Sequence, residues 1–209
     1  MKKLLIPLFA ILALAFVSVQ SFAAGPWKGR VIDAETKEPL EGAVVLAIWD
    51  RAYRTPNGDS SYFYNSKEVL TDKDGRFEIP SYRPMNFFPI ISYIRGPYFT
   101  IFKPGYGNFP EHRVGPPRGL STDAIEEFFL RETGKPGEIG WDYDREEKIK
   151  VIFGIVELPK LKTRKERLLT IRSIPPSIPN DKMPRLLESM NKERVDLGLQ
   201  PSHMKRGAR

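Results

Sequence analysis

Short apolar runs separated by turn-forming residues fill residues 29–106, and this rhythm constrains the fold more than any other feature. Residues 43–49 form an unbroken apolar run of strand length between a glycine and an aspartate, which predicts a buried central strand. Residues 76–79 alternate instead: Phe77 and Ile79 lie two positions apart, so they share one face of a strand. We therefore expect a mainly β protein.

The turn residues between these runs place the other strands. Residues 72–75, Asp-Lys-Asp-Gly, predict a tight turn with Gly75 in the left-handed region. Pro89 lies within an apolar, β-branched stretch, and because proline lacks an amide donor, that strand is predicted at a sheet edge or a bulge. The additional predicted strands are residues 27–33, 68–71, 86–94 and 98–102.

Residues 51–66 interrupt the rhythm with a strong turn sequence, Thr-Pro-Asn-Gly-Asp, at residues 55–59. They predict a hairpin-like insertion or a long loop. Loops on a rigid scaffold often carry binding residues, and tyrosine combines a large contact area with a polar tip. The alternative is that the insertion folds over the sheet and buries its aromatic side chains. The candidate partner-contact residues are Tyr53, Tyr62, Phe63 and Tyr64.

Four separated motifs occur in a fixed order: G-x-V-x-D, P-L-x-G-A-x-V, T-D-x-x-G-x-F-x-I and K-P-G-Y, at residues 29–33, 39–45, 71–79 and 103–106. In this order they resemble the carboxypeptidase regulatory-like family. The resemblance covers about residues 27–106 and implies a transthyretin-like (prealbumin-like) antiparallel β-sandwich. It implies no particular activity, because such modules are fused to enzymes, transporters and adhesins alike.

Residues 1–23 have the three parts of a secretory signal peptide. Lys2 and Lys3 form a basic start, residues 4–19 are apolar, and small residues precede a cleavage position after Ala23. We expect an exported bacterial protein, periplasmic or secreted. The alternative is an uncleaved signal that tethers the chain to the membrane. The chain has no cysteine, which excludes disulfides and lipidation on an N-terminal cysteine.

Beyond the resemblance, residues 107–159 read as a loop-rich extension. A short helix is predicted after Ser121, where capping residues precede apolar side chains at helical spacing. Residues 134–140 are rich in glycine and predict a linker. The β-branched, apolar residues 148–158 predict one more strand, which either returns to the sandwich or packs on the helix.

Residues 160–209 form a basic tail with 13 basic and 5 acidic residues, a net charge of +8. Thr163 and Glu166 have the spacing of a capping box, while Pro184 and Gly198 suit the first turn and the end of a second helix. The charges favour solvated helix faces, with leucines docked on the sandwich or on a partner; attraction to the cell envelope is an alternative. The predicted helices are residues 163–171 and 184–197, and residues 202–209 are predicted to be disordered.

No catalytic set emerges from the sequence. A catalytic zinc site of the carboxypeptidase kind needs a His-x-x-Glu pair and a distant histidine, but His112 and His203 both lack such a glutamate. Asp72 and Asp74 resemble the start of a calcium loop, yet the following residues lack the later ligands, which favours an ordinary turn. We predict no catalytic residue, no cofactor and no metal.

Together these observations predict a non-catalytic, exported β-sandwich that binds a partner or has a structural role at the bacterial cell envelope. The alternative is an accessory protein that acts with a separately encoded peptidase or other hydrolase. The expected partner is a protein or a polysaccharide rather than nucleic acid, and no span remains after signal removal. The predicted divisions are the signal at residues 1–23, the sandwich at 24–106, the loop-rich extension at 107–159 and the basic helical tail at 160–209.

Overall fold

The computed structural model describes residues 25–56, 58–86, 89–111, 120–143, 145–172 and 178–202. The predicted signal peptide, both histidines and the last seven residues lie outside these ranges. The strands are β1 Trp27–Asp33, β2 Val44–Thr55, β3 Gly58–Leu70, β4 Arg76–Ile79, β5 Ser92–Phe102, β6 Pro136–Asp142, β7 Glu147–Ile152 and β8 Ile155–Leu158. The helices are α1 Thr122–Leu130, α2 Arg164–Arg172 and α3 Pro184–Asp196, with a 3-10 turn at Asn180–Lys182.

Two three-stranded sheets make the sandwich, with strand orders β4-β1-β8 and β3-β2-β5. Strands β6 and β7 form a separate two-stranded ribbon. All pairings are antiparallel except that of β8 with β1, which is parallel. The mainly β sandwich with a helical C-terminal extension, predicted from the sequence, is confirmed.

The core between the sheets is aromatic. Trp27 of β1 packs on Trp49 of β2 with ring centroids 5.6 Å apart. Helix α1 completes this core, because its fully buried Phe129 contacts Phe77 and Phe99 at centroid distances of 5.6 and 4.5 Å. The helix begins where the sequence predicts, with the Ser121 hydroxyl accepting a hydrogen bond from the amide of Ala124. The extension after residue 106 therefore contributes directly to the apolar core.

The opposite face of β2 is covered by the C-terminal segment. Val44, Leu46 and Ile48 belong to a second apolar cluster that contains Ile178, Met183 and Leu186. Burial on both faces explains why residues 43–49 read as an unbroken apolar run. Docking of the tail's leucines on the sandwich, which the sequence favoured, is what the structure shows.

Polar contacts fix the two C-terminal helices on the sandwich. Helix α2 begins with the predicted capping box, in which Thr163 and Glu166 exchange side chain to amide hydrogen bonds. The Glu193 carboxylate of α3 is buried and accepts two hydrogen bonds from Arg167, both 2.7 Å long. It also accepts one from the Gly105 amide, so a single side chain joins both helices to the turn after β5.

The first amides of α3 are satisfied by the sheet. Glu68 of β3 accepts hydrogen bonds from the backbone amides of Arg185 and Leu186, at 3.0 and 2.8 Å. A carboxylate at a helix N-terminus replaces the missing intrahelical acceptors and complements the helix dipole. This contact orients α3 on the sheet.

The polar residues of the four motifs serve turns and connections. The buried carboxylate of Asp33 accepts hydrogen bonds from the amides of Glu35 and Thr36 and from the Tyr106 hydroxyl, so the first motif is tied to the fourth. Asp72 accepts hydrogen bonds from the amides of Asp74 and Arg76, which confirms the predicted turn chemistry. Gly75 has a φ of 71°, and an added Cβ would meet the Val31 carbonyl oxygen at 2.4 Å.

Three local predictions differ from the structure. β5 is one strand that begins at Ser92 and continues through Gly96 and Pro97, so Pro89 lies outside it. The predicted linker at residues 134–140 is largely strand β6, and the predicted strand at 148–158 is divided into β7 and β8 by a turn. Within β6, a Cβ on Gly137 would meet the Phe153 ring at 2.2 Å, so this glycine serves packing rather than flexibility.

Within the described part of the chain, none of the helices combines the length and the apolar character that crossing a lipid bilayer requires.

We predict that Glu193→Ala destabilises the protein by about 3 kcal/mol, because it leaves the Arg167 guanidinium unpaired at a largely buried contact. Urea unfolding followed by circular dichroism measures the change. Glu188→Ala, an exposed glutamate on the same helix, is the control and should stay within about 0.5 kcal/mol of the wild type. Equal effects of the two substitutions would contradict the role assigned to Glu193.

Stability should also depend on the ionisation of Asp33. Burial acts to raise the pKa of this carboxyl, but amide donors and the Tyr106 hydroxyl more than offset it, and the pKa lies below its ordinary value of 3.8. A carboxyl with a depressed native pKa stabilises the fold above its unfolded pKa, and this contribution is lost as the pH falls through the native value.

We therefore expect the free energy of unfolding to decline below about pH 4 and the decline to become shallower in Asp33→Asn. Asp33→Asn should also be less stable than the wild type near neutral pH. Urea titrations across the acid range measure both effects, with the exposed Asp181→Asn as the control. An unchanged acid dependence in Asp33→Asn would exclude Asp33 as its source.

Candidate functional site

The three-stranded sheet continues beyond a pair of bulges at Trp49. On one side of β2, Tyr64 is the extra residue of β3, because Trp49 pairs with Asn65 and Asp50 with Phe63. On the other side, Gly96 and Pro97 of β5 face the single residue Trp49. We call the region beyond these bulges the tip; it comprises residues 50–55 of β2, 58–63 of β3 and 92–95 of β5.

Gly96 allows the bulge in β5. It has a φ of 109°, and an added Cβ would lie 2.5 Å from the Ile48 carbonyl oxygen. Only glycine combines this backbone conformation with such close approach of another strand. Because bulges increase twist and redirect side chains, they set the orientation of the tip relative to the rest of the sheet.

One face of the tip, the tyrosine face, carries Arg51, Tyr53 and Tyr62. The rings of Tyr53 and Tyr62 meet edge to face at 6.0 Å with an interplanar angle of 70°, and Tyr62 is 63% exposed. The Arg51 guanidinium lies over the Tyr64 ring at 4.8 Å. The buried Nε of Arg51 has no hydrogen-bond partner among the described residues, so it is a donor without an acceptor.

The other face of the tip, the arginine face, is a closed polar network. Arg95 forms an ion pair with Asp59 and donates a hydrogen bond to the Tyr93 hydroxyl, which in turn donates to Asp59. Strand β2 lies between β5 and β3, and at this point it carries only the small, buried Ala52. The side chains of Arg95 and Tyr93 on β5 can therefore extend across β2 to Asp59 on β3. Arg54 stacks over the same Tyr93 ring at 5.4 Å.

Beside this network, burial raises the pKa of the Asp50 carboxyl, and the positive charge of Arg95 opposes that rise. Asp50 lies directly opposite Arg95 in the register of β2 and β5. The arginine face therefore balances its charges internally, whereas Arg51 on the tyrosine face forms no ion pair with any described residue.

Exposed apolar side chains border the tip in the connection before β5. Met85, Ile90 and Ile91 are 61%, 85% and 56% exposed. This connection is tied to the sheet, because the Tyr64 hydroxyl donates to the Met85 carbonyl and the Arg54 amide donates to the Ile91 carbonyl. Exposed aromatic, arginine and aliphatic groups thus lie on adjoining segments.

The structure separates the four predicted contact residues. Tyr53 and Tyr62 lie together on the tyrosine face, with Tyr62 exposed. Phe63 points to the opposite face and packs against the apolar cluster under α3. Tyr64 packs against the core between the sheets. The insertion is a bulged hairpin, in which Tyr62 is presented to solvent while Phe63 and Tyr64 pack against the two apolar clusters.

Sequence reasoning did not identify Arg51, Arg54, Asp59, Tyr93 or Arg95. The cluster on the arginine face joins residues 34 and 36 positions apart, and only the strand register brings them together. The sequence predicts a strand at Tyr93, but nothing in its local sequence marks it as a neighbour of Asp59. For Arg51, the adjoining turn signal and tyrosines were the available hint.

Other surface features of the described residues carry less chemistry. An open groove of about 1200 Å³ runs along the outer side of β1 and β4, and its facing Lys28 and Glu78 already form an ion pair. A cleft of about 450 Å³ lies between α3 and the turn after β5. There, burial and then Lys192 lower the pKa of Lys103, whose ammonium donates to the Glu41 carbonyl. No group of histidine, cysteine and acidic side chains suited to a metal occurs among the described residues.

No family model matches the chain, and neither a curated protein nor a solved structure shows significant similarity to it.

Two glycines with nearly equal φ provide a test of the bulge. Gly58 has a φ of 104° with nothing within 4 Å of an added Cβ, whereas Gly96 combines a φ of 109° with the close Ile48 carbonyl. We expect Gly58→Ala to cost about 1 kcal/mol through backbone strain alone. Gly96→Ala should cost about 2 kcal/mol more, since the neighbouring strand must move. Urea unfolding measures both, and equal losses would contradict the steric role of Gly96.

Proposed function

We propose that this protein is a non-catalytic, exported binding module that docks a protein partner of the bacterial cell envelope through the tyrosine face of its tip. The observation that carries the proposal is the exposed Tyr62 ring against the half-buried Tyr53, next to Arg51, whose buried Nε has no hydrogen-bond partner among the described residues. Export is the expectation from the signal-like residues 1–23. The carboxypeptidase regulatory-like resemblance fits a module of this kind, which serves as a scaffold for loops.

The composition of the tip favours a protein over a polysaccharide. Tyrosine, arginine and methionine are enriched at the centres of protein interfaces and among the residues that contribute most binding energy. The Tyr53 and Tyr62 rings are inclined by 70° and do not form a common flat surface for a sugar ring. Met85, Ile90 and Ile91 add exposed apolar area next to these rings.

The acidic residues Asp33, Asp72 and Asp59 have structural roles, which supports a function without catalysis. Asp33 and Asp72 accept hydrogen bonds from backbone amides within turns. Asp59 is held by Tyr93 and Arg95. A separately encoded hydrolase is one class of partner that such a module would serve, and identification of the bound protein distinguishes this case.

The test places a photo-reactive phenylalanine analogue at position 62 of the full chain expressed in bacteria. We expect one discrete cross-linked protein from position 62. The matched control is position 143, where Tyr143 is 86% exposed outside the tip and should give no such product. Equal labelling from both positions would contradict the proposal.

With the captured protein purified, Tyr62→Ala should weaken its binding at least about tenfold, which corresponds to about 1.4 kcal/mol. Tyr143→Ala should leave the affinity unchanged, and both variants should unfold like the wild type. An unaffected affinity in Tyr62→Ala would exclude the tyrosine face. Hydrolysis of a peptide or ester by the pure protein, abolished by one acidic substitution, would overturn the non-catalytic assignment.

A further inference from the structure

The outer edge of β3 is open along the tip. β3 pairs only with β2, and no other described residue hydrogen-bonds to the backbone of residues 59–63. An edge strand directs alternate amide and carbonyl groups away from its sheet, where they can accept another strand. The tip therefore offers backbone hydrogen-bonding groups as well as side chains.

The next residues of the same strand, 65–67, make side-chain contacts with neighbouring segments. Asn65 donates a hydrogen bond of 2.9 Å to the Tyr82 hydroxyl, and Lys67 reaches the carbonyls of Pro80 and Ser81. Ser66 donates to the Lys182 carbonyl. The open edge is therefore residues 58–64, and Tyr64, whose hydroxyl donates to the Met85 carbonyl, lies at its end.

Apart from the bulge at Tyr64, which lies at its end, this open edge lacks the usual features that keep strands apart. Proteins protect exposed edges with lysine, proline or inward-pointing charges. Residues 58–64, Gly-Asp-Ser-Ser-Tyr-Phe-Tyr, contain neither lysine nor proline. Their one charged side chain, Asp59, is held by Tyr93 and Arg95 across the sheet. The edge is therefore uncharged on its outward side.

The sequence of the edge is complementary to itself when reversed. In an antiparallel pair with a second copy centred on Ser61, Ser60 lies opposite Tyr62, Gly58 opposite Tyr64, and Asp59 opposite Phe63. Each aromatic residue thus faces a glycine, a serine or the neutralised Asp59, and no like charges meet, as cross-strand pairing requires. The two-fold axis passes through the Ser61 pair, which is the geometry of an isologous dimer.

We propose that two copies of this chain pair through their β3 edges at residues 58–64, in an antiparallel register centred on Ser61. The two three-stranded sheets then form one continuous six-stranded sheet. Because the two-fold axis is perpendicular to that sheet, the tyrosine faces of both copies lie on the same side. This inference goes beyond the proposed partner binding, and it adds a bivalent surface to it.

Engineered cysteines test the register, since the chain has none of its own. Directly opposite residues of an antiparallel pair have Cα atoms about 4.5–5.5 Å apart, which suits a disulfide. Under mild oxidation, Ser61→Cys should form a covalent dimer at least about tenfold faster than Ser60→Cys, which faces Tyr62, or the exposed, remote Gln200→Cys. Equal rates for the three variants would overturn the proposal.

Sedimentation velocity of the wild-type protein, which has no cysteine, gives the second measurement. The wild-type protein should sediment increasingly as a dimer as its concentration rises. Ser61→Lys places two ammonium groups at the two-fold axis and should weaken self-association at least about tenfold, while Gln200→Lys should not. A wild-type protein that remains monomeric, or that is unaffected by Ser61→Lys, would overturn the proposal. Both measurements use this protein alone, so their failure leaves partner binding through Tyr62 as a separate question.

Discussion

Burial of β2 on both faces is the constraint on which the rest of the structure depends. Its alternate residues enter two different apolar clusters, one between the sheets and one under the C-terminal helices. A strand of this kind cannot remain in water on either side, because each exposed valine, leucine or isoleucine would cost about 1.5–3 kcal/mol. The second sheet and α3 are therefore both required by the same few residues of β2.

This requirement explains why the chain continues long after the fourth motif. The fourth motif ends at Tyr106, yet α1 supplies core aromatics and β8 pairs with β1. Helix α3 then covers the remaining face of β2 and is held there by Glu68 and Glu193. The basic tail is thus a docked structural element: Leu186, Leu187 and Leu197 are buried, whereas the lysines of its described part are exposed to water.

Sequence reasoning succeeded where one short segment contains the whole interaction. The Thr163 and Glu166 capping box and the turn that begins at Asp72 each lie within a few residues, and both were predicted correctly. It failed at β6, because Gly137 is explained only by the Phe153 ring that packs on it. It also missed the pairing of Asp59 with Tyr93 and Arg95, since a register shift at Trp49 decides which residues meet.

The same bulges divide the molecule into a buried part and a presented part. On one side of Trp49, β2 is covered on both faces; on the other, it carries the side chains of the tip. The side chains of the four motifs lie almost entirely on the covered side, where they form turns and join strands. The four motifs therefore explain the scaffold, whereas Tyr53, Tyr62 and Arg51 belong to the insertion between the second and the third motif. Binding specificity on a shared scaffold is expected to lie in the segments that vary, such as the insertion. Partner binding should therefore tolerate substitutions in the motif turns that preserve the fold. Substitutions at the tip should change it strongly.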